Sequence, residues 1–368
     1  CLLTMLLVLV IGQTLQAQSS REVTVVVKTP GQATRRVDGK LADNGQVSPT
    51  LRVVREDDDG VVINGLKMIG TASVFCHETW VGNLQPVPPG QEAESITCAV
   101  PLNLPGVSIW SRKPYEASAN SEFDMPLSTR YDETDAAILF ENVKVPWERV
   151  FLHNNTEMSR EIYMRTPGHS LANHQANVRF LEKLKLIVAL AHKLTQSNRA
   201  DRIPAVQSTL GKLAAMLATL EGMIMGQLHG CEEMVPGSGY VTVNRRYMYA
   251  ALYWCTNNHS AICDMVRELM GGGPIQMPAD SSVMADPELN EKFETYWAVS
   301  DQSAQDRMKL MRLAWDVLGT EFAGRHMLYE KFYAGPGFVM DSYSYNAAPW
   351  DDLDAIVDGL LAGYGTED

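Results

Sequence analysis

Near residue 150 the hydrophobic period of this chain changes, and that change limits the folds open to it. From Leu51 to Val150 apolar residues come in short runs divided by turn formers. "LRVVREDDDGVVINGLKMIGTASV" carries the acidic turn Asp57-Asp58-Asp59-Gly60 and a second hairpin signal at Asn64-Gly65. Further strands are expected in "ETWVGNLQPV", "SITCAVPL", "GVSIWSRKPY" and "AAILFENVKVP", with Pro and Gly between them. The pattern predicts a compact antiparallel sheet unit, closed into a barrel or folded over itself.

Beyond Asn155 the period is helical. Phe180, Leu184, Ile187, Val188 and Ala191 share one stripe, with Arg179, Glu182, Lys183 and Lys185 mainly to its side. Val206, Leu210, Leu213, Leu217, Leu220, Ile224 and Leu228 step by four and three, which predicts a long helix packed in a bundle. Two more long helical stretches are "NRRYMYAALYWCTNNHSAICDMVRELM" and "DQSAQDRMKLMRLAWDVLGTEFAGRHMLYEKFY"; a shorter one starts at Pro349 and runs through Leu353, Ile356, Val357 and Leu360. The expected organisation is an atypical segment 1–45, a sheet domain 46–150 and a C-terminal four-helix bundle domain 151–368.

Composition excludes several classes. A net charge of −13 argues against general binding to nucleic acid or anionic membranes. The six cysteines show neither a CxxC nor a zinc-finger spacing, which fits buried thiols in a reducing compartment, and hence the cytoplasm. The opening "CLLTMLLVLVIGQTLQAQSS" has an apolar run from Leu2 to Ile11 of about the length of a signal core. No Lys or Arg precedes Arg21, so the charged flank of a signal is missing. The run is also shorter than the roughly 20 residues that span a bilayer.

Few motifs point to chemistry. GxSxG, HExxH, the P-loop and GxGxxG do not occur. Met270 to Pro274, "MGGGP", reads either as a helix C-cap and turn or as backbone open to a ligand. Cys255, His259 and Cys263 recur every four residues on one helix face. The Met and Trp residues along the bundle read as core, and His192 and His229 as ordinary helix residues.

The segment "RYDETDAAILFENVKVPWERVFLHNN" resembles the crossing from barrel to bundle in the 4-hydroxyphenylacetate 3-hydroxylase family, the oxygenase components of two-component flavin monooxygenases. "LRVVREDDDGVVINGLKMIGTAS", "VGNLQPVPPGQE", "HSLANHQANVRFLEKLKLIVALA", "MGGGPIQMPADSSVMADPE" and "GRHMLYEKFYAGP" extend the resemblance, in order, over about Leu51 to Gly363. It implies an α+β fold like that of acyl-CoA dehydrogenases: an N-terminal helical domain, a β-barrel and a C-terminal bundle, assembled as a homotetramer. It also implies an enzyme that takes reduced FAD (FADH2) from a separate NAD(P)H:flavin reductase. With O2 the flavin forms a C4a-hydroperoxide that hydroxylates a phenol ortho to its hydroxyl. Such chemistry needs a dry, shaped pocket around the ring.

Carried over residue by residue, the resemblance places Thr71 at the flavin ring, with Ser73 expected next on the same strand face, and Tyr333, Ala334, Gly335 and Pro336 against FAD after the last long helix. Arg179, with Lys183 one turn on, is the candidate for the phosphates, and Gly272, within Gly271 to Gly273, lies near the nucleotide. No catalytic residue and no metal ligand is assigned. The chain departs from the family at its start: the N-terminal helices, with their Arg, Tyr and His for the phenol, are not recognisable, and the stretch to Lys40 looks unrelated. Other readings stay open: a non-catalytic remnant serving assembly, a relative of 4-hydroxybutyryl-CoA dehydratase with Cys255, His259 and Cys263 near an iron-sulfur cluster, or a secreted binding module.

Overall fold

The computed structural model describes residues 49–365 except Ile69 and Gln85. The opening apolar run and the segment 1–45 lie outside those residues. In chain order the elements of the first half are β1 (Arg52–Asp57), β2 (Gly60–Lys67), β3 (Glu78–Val81), β4 (Ile96–Pro101), β5 (Val107–Ser111), the short α1 (Ser128–Tyr131), β6 (Ala136–Pro146) and β7 (Val150–His153). They form one sheet of order β1-β2-β6-β5 and a second of order β3-β4-β7. Every pairing within them is antiparallel.

The expected barrel does not close. The two sheets face each other across one core that includes Val61, Ile63, Val81, Ile96, Cys98, Val100, Ile138, Phe140, Val143 and Val145. Among the described residues, side chains rather than ladder hydrogen bonds join the sheets, so β1 and β5 remain edges of the first and β3 and β7 of the second. A closed sheet would have no such edges.

The turn at Asp57–Gly60 forms as the sequence suggested, with the Asp57 carboxylate accepting from the Asp59 N–H at 3.0 Å. Gly60 is required there: its φ is +147°, and a Cβ would lie 2.2 Å from the Val145 carbonyl oxygen. Asn64-Gly65, by contrast, is not a hairpin. β2 runs through it, and the register with β6 slips between Ile63 and Gly65. Opposite, Asn142 takes φ 55° and its N–H donates to the Asn64 side chain at 2.7 Å. This is a β-bulge, and it explains why inward residues of β6 change parity from Ile138 and Phe140 to Val143 and Val145.

The second half is helical: α2 (Met158–Met164), α3 (Pro167–Ser197), α4 (Pro204–His229), α5 (Arg245–Met270), α6 (Pro287–Trp297), α7 (Ala304–Leu318), α8 (Glu321–Phe332), α9 (Gly337–Asn346) and α10 (Trp350–Leu361), with a small ribbon, β8 (Glu232–Glu233) and β9 (Val241–Thr242), between α4 and α5. Residues of α3, α4, α5 and α7 share the largest core, including Phe180, Leu184, Leu213, Leu220, Ile262 and Met311, and make a four-helix bundle. The stripe on α4 fades at its end, where Leu228 is exposed and Gln227 is buried instead.

The stretch expected as one helix up to Tyr333 is two. At Gly319 a Cβ would meet the Trp315 ring at 2.6 Å, and Thr320 then caps α8 through its hydroxyl. The junction is fastened by Asp316, which is fully buried and accepts from the N–H groups of Leu127 and Ser128 and the hydroxyls of Ser128 and Thr320.

Candidate functional site

The main cleft, about 890 Å³, lies where the sheet unit meets α2 and the start of α3. Met68, Trp80, Leu84, Val87, Ile138 and Ile162 give it apolar walls, and Lys67, Asn83, Glu94, Tyr163 and Thr166 add polar groups. Its size is in the range of small-molecule sites. Two hydrogen bonds tie its walls to the bundle side: the Val87 N–H donates to the Ser159 hydroxyl at 3.2 Å, and the Ser95 hydroxyl donates to the Asn155 carbonyl at 2.5 Å.

The Thr71 and Ser73 segment borders this cleft through Gly70. The expectation that both residues share a strand face is corrected here. β2 ends at Lys67, Ala72 has φ 58°, and Ser73–Phe75 is a 3-10 turn, so the alternation of a strand is broken between them. The N–H groups of Gly70 and Ala72 donate to the carbonyls of Ala136 and Thr134, which folds the turn across the start of β6. Ser73 is buried, and among the described residues its hydroxyl has no hydrogen-bond partner. A Cβ on Gly70 would lie 3.3 Å from that hydroxyl and 3.2 Å from Ile138 Cδ1.

Thr71 donates its hydroxyl proton to Asp135 at 2.9 Å. Asp135 also accepts from Arg325 Nη2 at 2.8 Å and Nε at 2.9 Å, and from Arg112 at 3.3 Å. Burial alone would raise the Asp135 carboxyl, but the hydrogen bonds of Arg325 and Thr71 and the Arg325 charge hold it down at about 2. Arg325 lies over the Tyr329 ring at 4.4 Å, and Tyr329 stacks on Tyr333 at 4.8 Å. The guanidinium of Arg179 also lies over the Tyr329 ring, at 4.5 Å. Thr71, Arg325, Tyr329, Arg179 and Tyr333 thus form one connected series along α8.

Arg179 is not a free cation. It makes a two-pronged pair with Glu330, at 2.5 and 3.0 Å, and the Lys183 ammonium joins the same carboxylate. Burial would raise Glu330, yet the charges of Lys183 and Arg179 hold it at about 2. Lys183 also meets His326 Nδ1 at 2.9 Å; burial, Lys183 and Arg325 press His326 down to about 2. Arg179, Glu330, Tyr333 and Ala334 surround a small void with Cys255 and Thr256. Gly335 (φ 113°) and Pro336 then carry the chain into α9.

Gly272 stands apart from this series. Gly271 (φ 60°) ends α5, Gly273 packs on Met311, and a Cβ on Gly272 would meet the Gln276 side chain at 3.4 Å. Cys255, His259 and Cys263 are buried, with Cys263 Sγ 3.6 Å from His259 Nε2. Burial pushes the Cys255 thiol up and the Cys263 thiol to about 11, against the thiolate form a metal needs. Among the described residues no three His, Cys, Asp or Glu side chains converge on a metal position.

Sequence reasoning missed Asp135, Arg325, Glu330 and a buried aromatic nest. His169 Nε2 lies 2.9 Å from the Tyr249 hydroxyl, with the rings of Tyr163 and Tyr343 against its imidazole at 5.1 and 5.5 Å. Burial and the charges of Arg160 and Arg245 lower His169 to about 4, so its imidazole is neutral at pH 7. A signal existed: His169, Ser170, Asn173 and Asn177 put polar groups on the buried face of α3, where a plain core would be apolar.

With this geometry the family can be settled. The family model described as 4-hydroxyphenylacetate 3-hydroxylase C terminal matches residues 159–362, and the one described as its N terminal matches residues 16–152. The chain belongs to the 4-hydroxyphenylacetate 3-hydroxylase family. The match from residue 16 overturns the expectation that the N-terminal part of the family is unrecognisable here: the N-terminal unit, as matched, takes in the sheets as well as sequence ahead of them.

Among curated relatives, the 4-hydroxyphenylacetate 3-monooxygenase oxygenase component of Escherichia coli is 29% identical over 85% of this chain and 62% of its own length. The solved structure of the oxygenase component of 4-hydroxyphenylacetate 3-monooxygenase complexed with FAD superposes with a TM-score of 0.81 and 25% identity, over 90% of this chain and 68% of that one. An archaeal 4-hydroxybutyryl-CoA dehydratase from N. maritimus shares the fold, with a TM-score of 0.77 and 16% identity over 88% of this chain and 64% of that one. The chain spans between half and two thirds of the length of the curated relatives it matches. Among the described residues no helix is long and apolar enough to cross a membrane.

Proposed function

We propose that this chain is the oxygenase part of a two-component phenol monooxygenase that uses reduced FAD. The observation that carries the reading is the cleft of about 890 Å³, mainly apolar and set between the sheet unit and the bundle. A flavin ring would suit its chemistry: Gly70 lines the cleft, a Cβ there would crowd Ile138 and Ser73, and the Ser73 hydroxyl beside it is buried and, among the described residues, unpartnered. Reduced FAD would supply the electrons for splitting O2, one oxygen atom passing through a flavin C4a-hydroperoxide to the position ortho to the phenol hydroxyl and the other leaving as water.

The chain's own residues would prepare that site. Thr71 donates its hydroxyl hydrogen bond to an ionised Asp135, so its oxygen is left as an acceptor and would suit an N–H of the reduced ring. The neighbouring Ser73 hydroxyl would donate or accept. Met68, Leu84, Val87 and Ile138 would keep water away from the ring. Arg179, Tyr333, Ala334, Gly335 and Pro336 would hold the remainder of FAD. Arg179 and Lys183 share a single carboxylate, which leaves one net positive charge for a phosphate. Gly272 enters only as open backbone at the end of α5. A separate NAD(P)H:flavin reductase, a homotetrameric assembly and a cytoplasmic location complete the proposal.

The test is anaerobic titration of the chain with reduced FAD, then rapid mixing with oxygenated buffer while near-ultraviolet absorbance is recorded. A long-lived oxygenated flavin band is expected. Failure to bind reduced FAD, or immediate reoxidation with release of hydrogen peroxide, overturns the reading.

A further inference from the structure

Thr71 and Asp135 face each other because two backbone bonds align their chains. The Gly70 N–H donates to the Ala136 carbonyl at 2.7 Å and the Ala72 N–H to the Thr134 carbonyl at 2.9 Å, which sets the two residues between them opposite one another. Just past β5, the Arg112 N–H holds the Asp135 carbonyl at 3.0 Å. Thr71 follows Gly70, a residue of the main cleft wall, and is itself half-buried.

A threonine hydroxyl has one hydrogen to give and lone pairs with which to receive. At Thr71 the hydrogen is committed to Asp135 Oδ1 at 2.9 Å. The carboxylate has no hydrogen to return. Arg325 binds both of its oxygens, at 2.8 and 2.9 Å, and Arg112 adds a bond at 3.3 Å. Against the upward push of burial, the hydrogen bonds of Arg325 and Thr71 and the Arg325 charge keep the group ionised. Turning the Thr71 hydroxyl away would forfeit a charge-assisted bond, which favours the observed direction by roughly 10- to 100-fold. Toward any ligand, Thr71 is therefore an acceptor only.

We propose that Asp135 is a positioning residue that fixes the polarity of the Thr71 hydroxyl, and that this polarity makes the site discriminate between the redox states of a flavin. The inference rests on the reading of the cleft as a flavin site and deepens it. Reduced flavin carries a hydrogen on N5, which the Thr71 oxygen can accept. Oxidised flavin has only a lone pair there, and two acceptors would meet without a hydrogen between them.

The contacts also say what Asp135→Asn would do. Oδ1 serves Thr71 and Arg325 Nη2, and Oδ2 serves Arg325 Nε and Arg112 Nε. An amide nitrogen in the Oδ2 position would oppose two N–H donors; in the Oδ1 position it opposes one and can donate to Thr71. The second arrangement is favoured, and it frees the Thr71 hydrogen to point at the ring. The hydroxyl becomes a donor, which suits oxidised flavin.

The full chain is equilibrated without oxygen with reduced FAD and, separately, with oxidised FAD, and free flavin is measured after ultrafiltration. Reduced FAD is expected to bind about 10-fold or more tightly, which raises the potential of the bound flavin by about 30 mV per tenfold. Asp135→Asn should bring the two forms within about twofold and bind oxidised FAD more tightly than the unaltered chain does. A merely structural role for Asp135 would instead weaken both forms alike, and that result overturns the assignment. Thr71→Val leaves the Asp135–Arg325 pair in place and carries the test if Asp135→Asn does not fold: its ratio should also fall within about twofold, whereas Thr71→Ser should keep the preference. An unchanged ratio in Thr71→Val, or equal binding of both forms by the unaltered chain, overturns the assignment while the flavin reading stands. Binding of neither form by the unaltered chain overturns both.

Discussion

Replacing Glu330 by Gln tests whether the buried charge cluster on α8 is organised as described. In the folded chain the carboxylate takes two bonds from Arg179 and one from Lys183, and its side chain is 4% exposed. Glu330→Gln leaves two buried cations facing an uncharged amide, and breaking a buried pair in this way costs about 3–5 kcal/mol. The pH dependence gives a second, independent number. The folded pKa of about 2 lies below the ordinary 4.5, so the folded state binds fewer protons than the unfolded state between these values. Stability from this group is therefore complete above pH 4.5 and is lost as pH falls toward 2. The full shift corresponds to about 3 kcal/mol, of which roughly 1 kcal/mol is gone by pH 4. Urea unfolding followed by tryptophan fluorescence at pH 7 and pH 4 should show Glu330→Gln less stable at both, with the gap to the unaltered chain narrower by about 1 kcal/mol at pH 4. An unchanged gap would refute the depressed carboxylate, and a loss below about 1 kcal/mol at pH 7 would refute the buried pair.

Asp316→Ala should destabilise the chain by about 3–5 kcal/mol, because the buried Ser128 N–H and its neighbours lose their acceptor. Asp316→Asn should cost only about 1 kcal/mol in the same urea series, since the amide oxygen can keep the two backbone N–H groups while the rotatable hydroxyls of Ser128 and Thr320 accept from its nitrogen; equal losses for the two variants would contradict this geometry. Gly60→Ala should cost about 3 kcal/mol or more, because φ +147° and the Val145 carbonyl leave no room for a Cβ. A midpoint shift of less than about 0.5 kcal/mol would show that the turn at Asp57–Gly60 is built differently.

Much of the fold was legible because its elements obey simple periods. β6 was read with its observed bounds as a short apolar run between turn formers, α3 from its stripe, and α5 as a long helical stretch. Three errors share one cause, which is that a single residue resets the pattern. Gly65 signals a turn in isolation, but the long pairing of β2 with β6 absorbs it as a bulge. Gly319 and Thr320 divide a stretch whose stripe is continuous, because the Trp315 ring occupies the space a side chain would need. Ala72, an ordinary residue with φ 58°, ends the strand geometry between Thr71 and Ser73. The site was less legible than the fold. Arg179 was singled out by its spacing to Lys183, but its partner Glu330 is 151 residues away, and Asp135 and Arg325 meet across 190. Such partners carry no local mark beyond being charged.

The cleft is a property of both halves of the chain together. Its floor comes from β2 and β6, its rim from the segment that begins at Gly82, and its far wall from α2 and α3. These parts are held in register by polar bonds that cross between sheets and helices: Asp135 to Arg325, Ser128 to Asp316, and Val87 to Ser159. The Asp135 link reaches the candidate ring group Thr71 by a side-chain hydrogen bond. A change in α8 that moves Arg325 would remove the hydrogen bonds and charge that chiefly hold the Asp135 carboxylate in place, and with them the anchor that directs the Thr71 hydroxyl. Because the guanidinium groups of Arg325 and Arg179 both lie against the Tyr329 ring, the same movement reaches the cluster around Glu330. α8 thus couples the candidate ring site to the candidate phosphate site through rigid, desolvated contacts, which is the arrangement needed if both ends of one extended cofactor are to be held at a fixed separation.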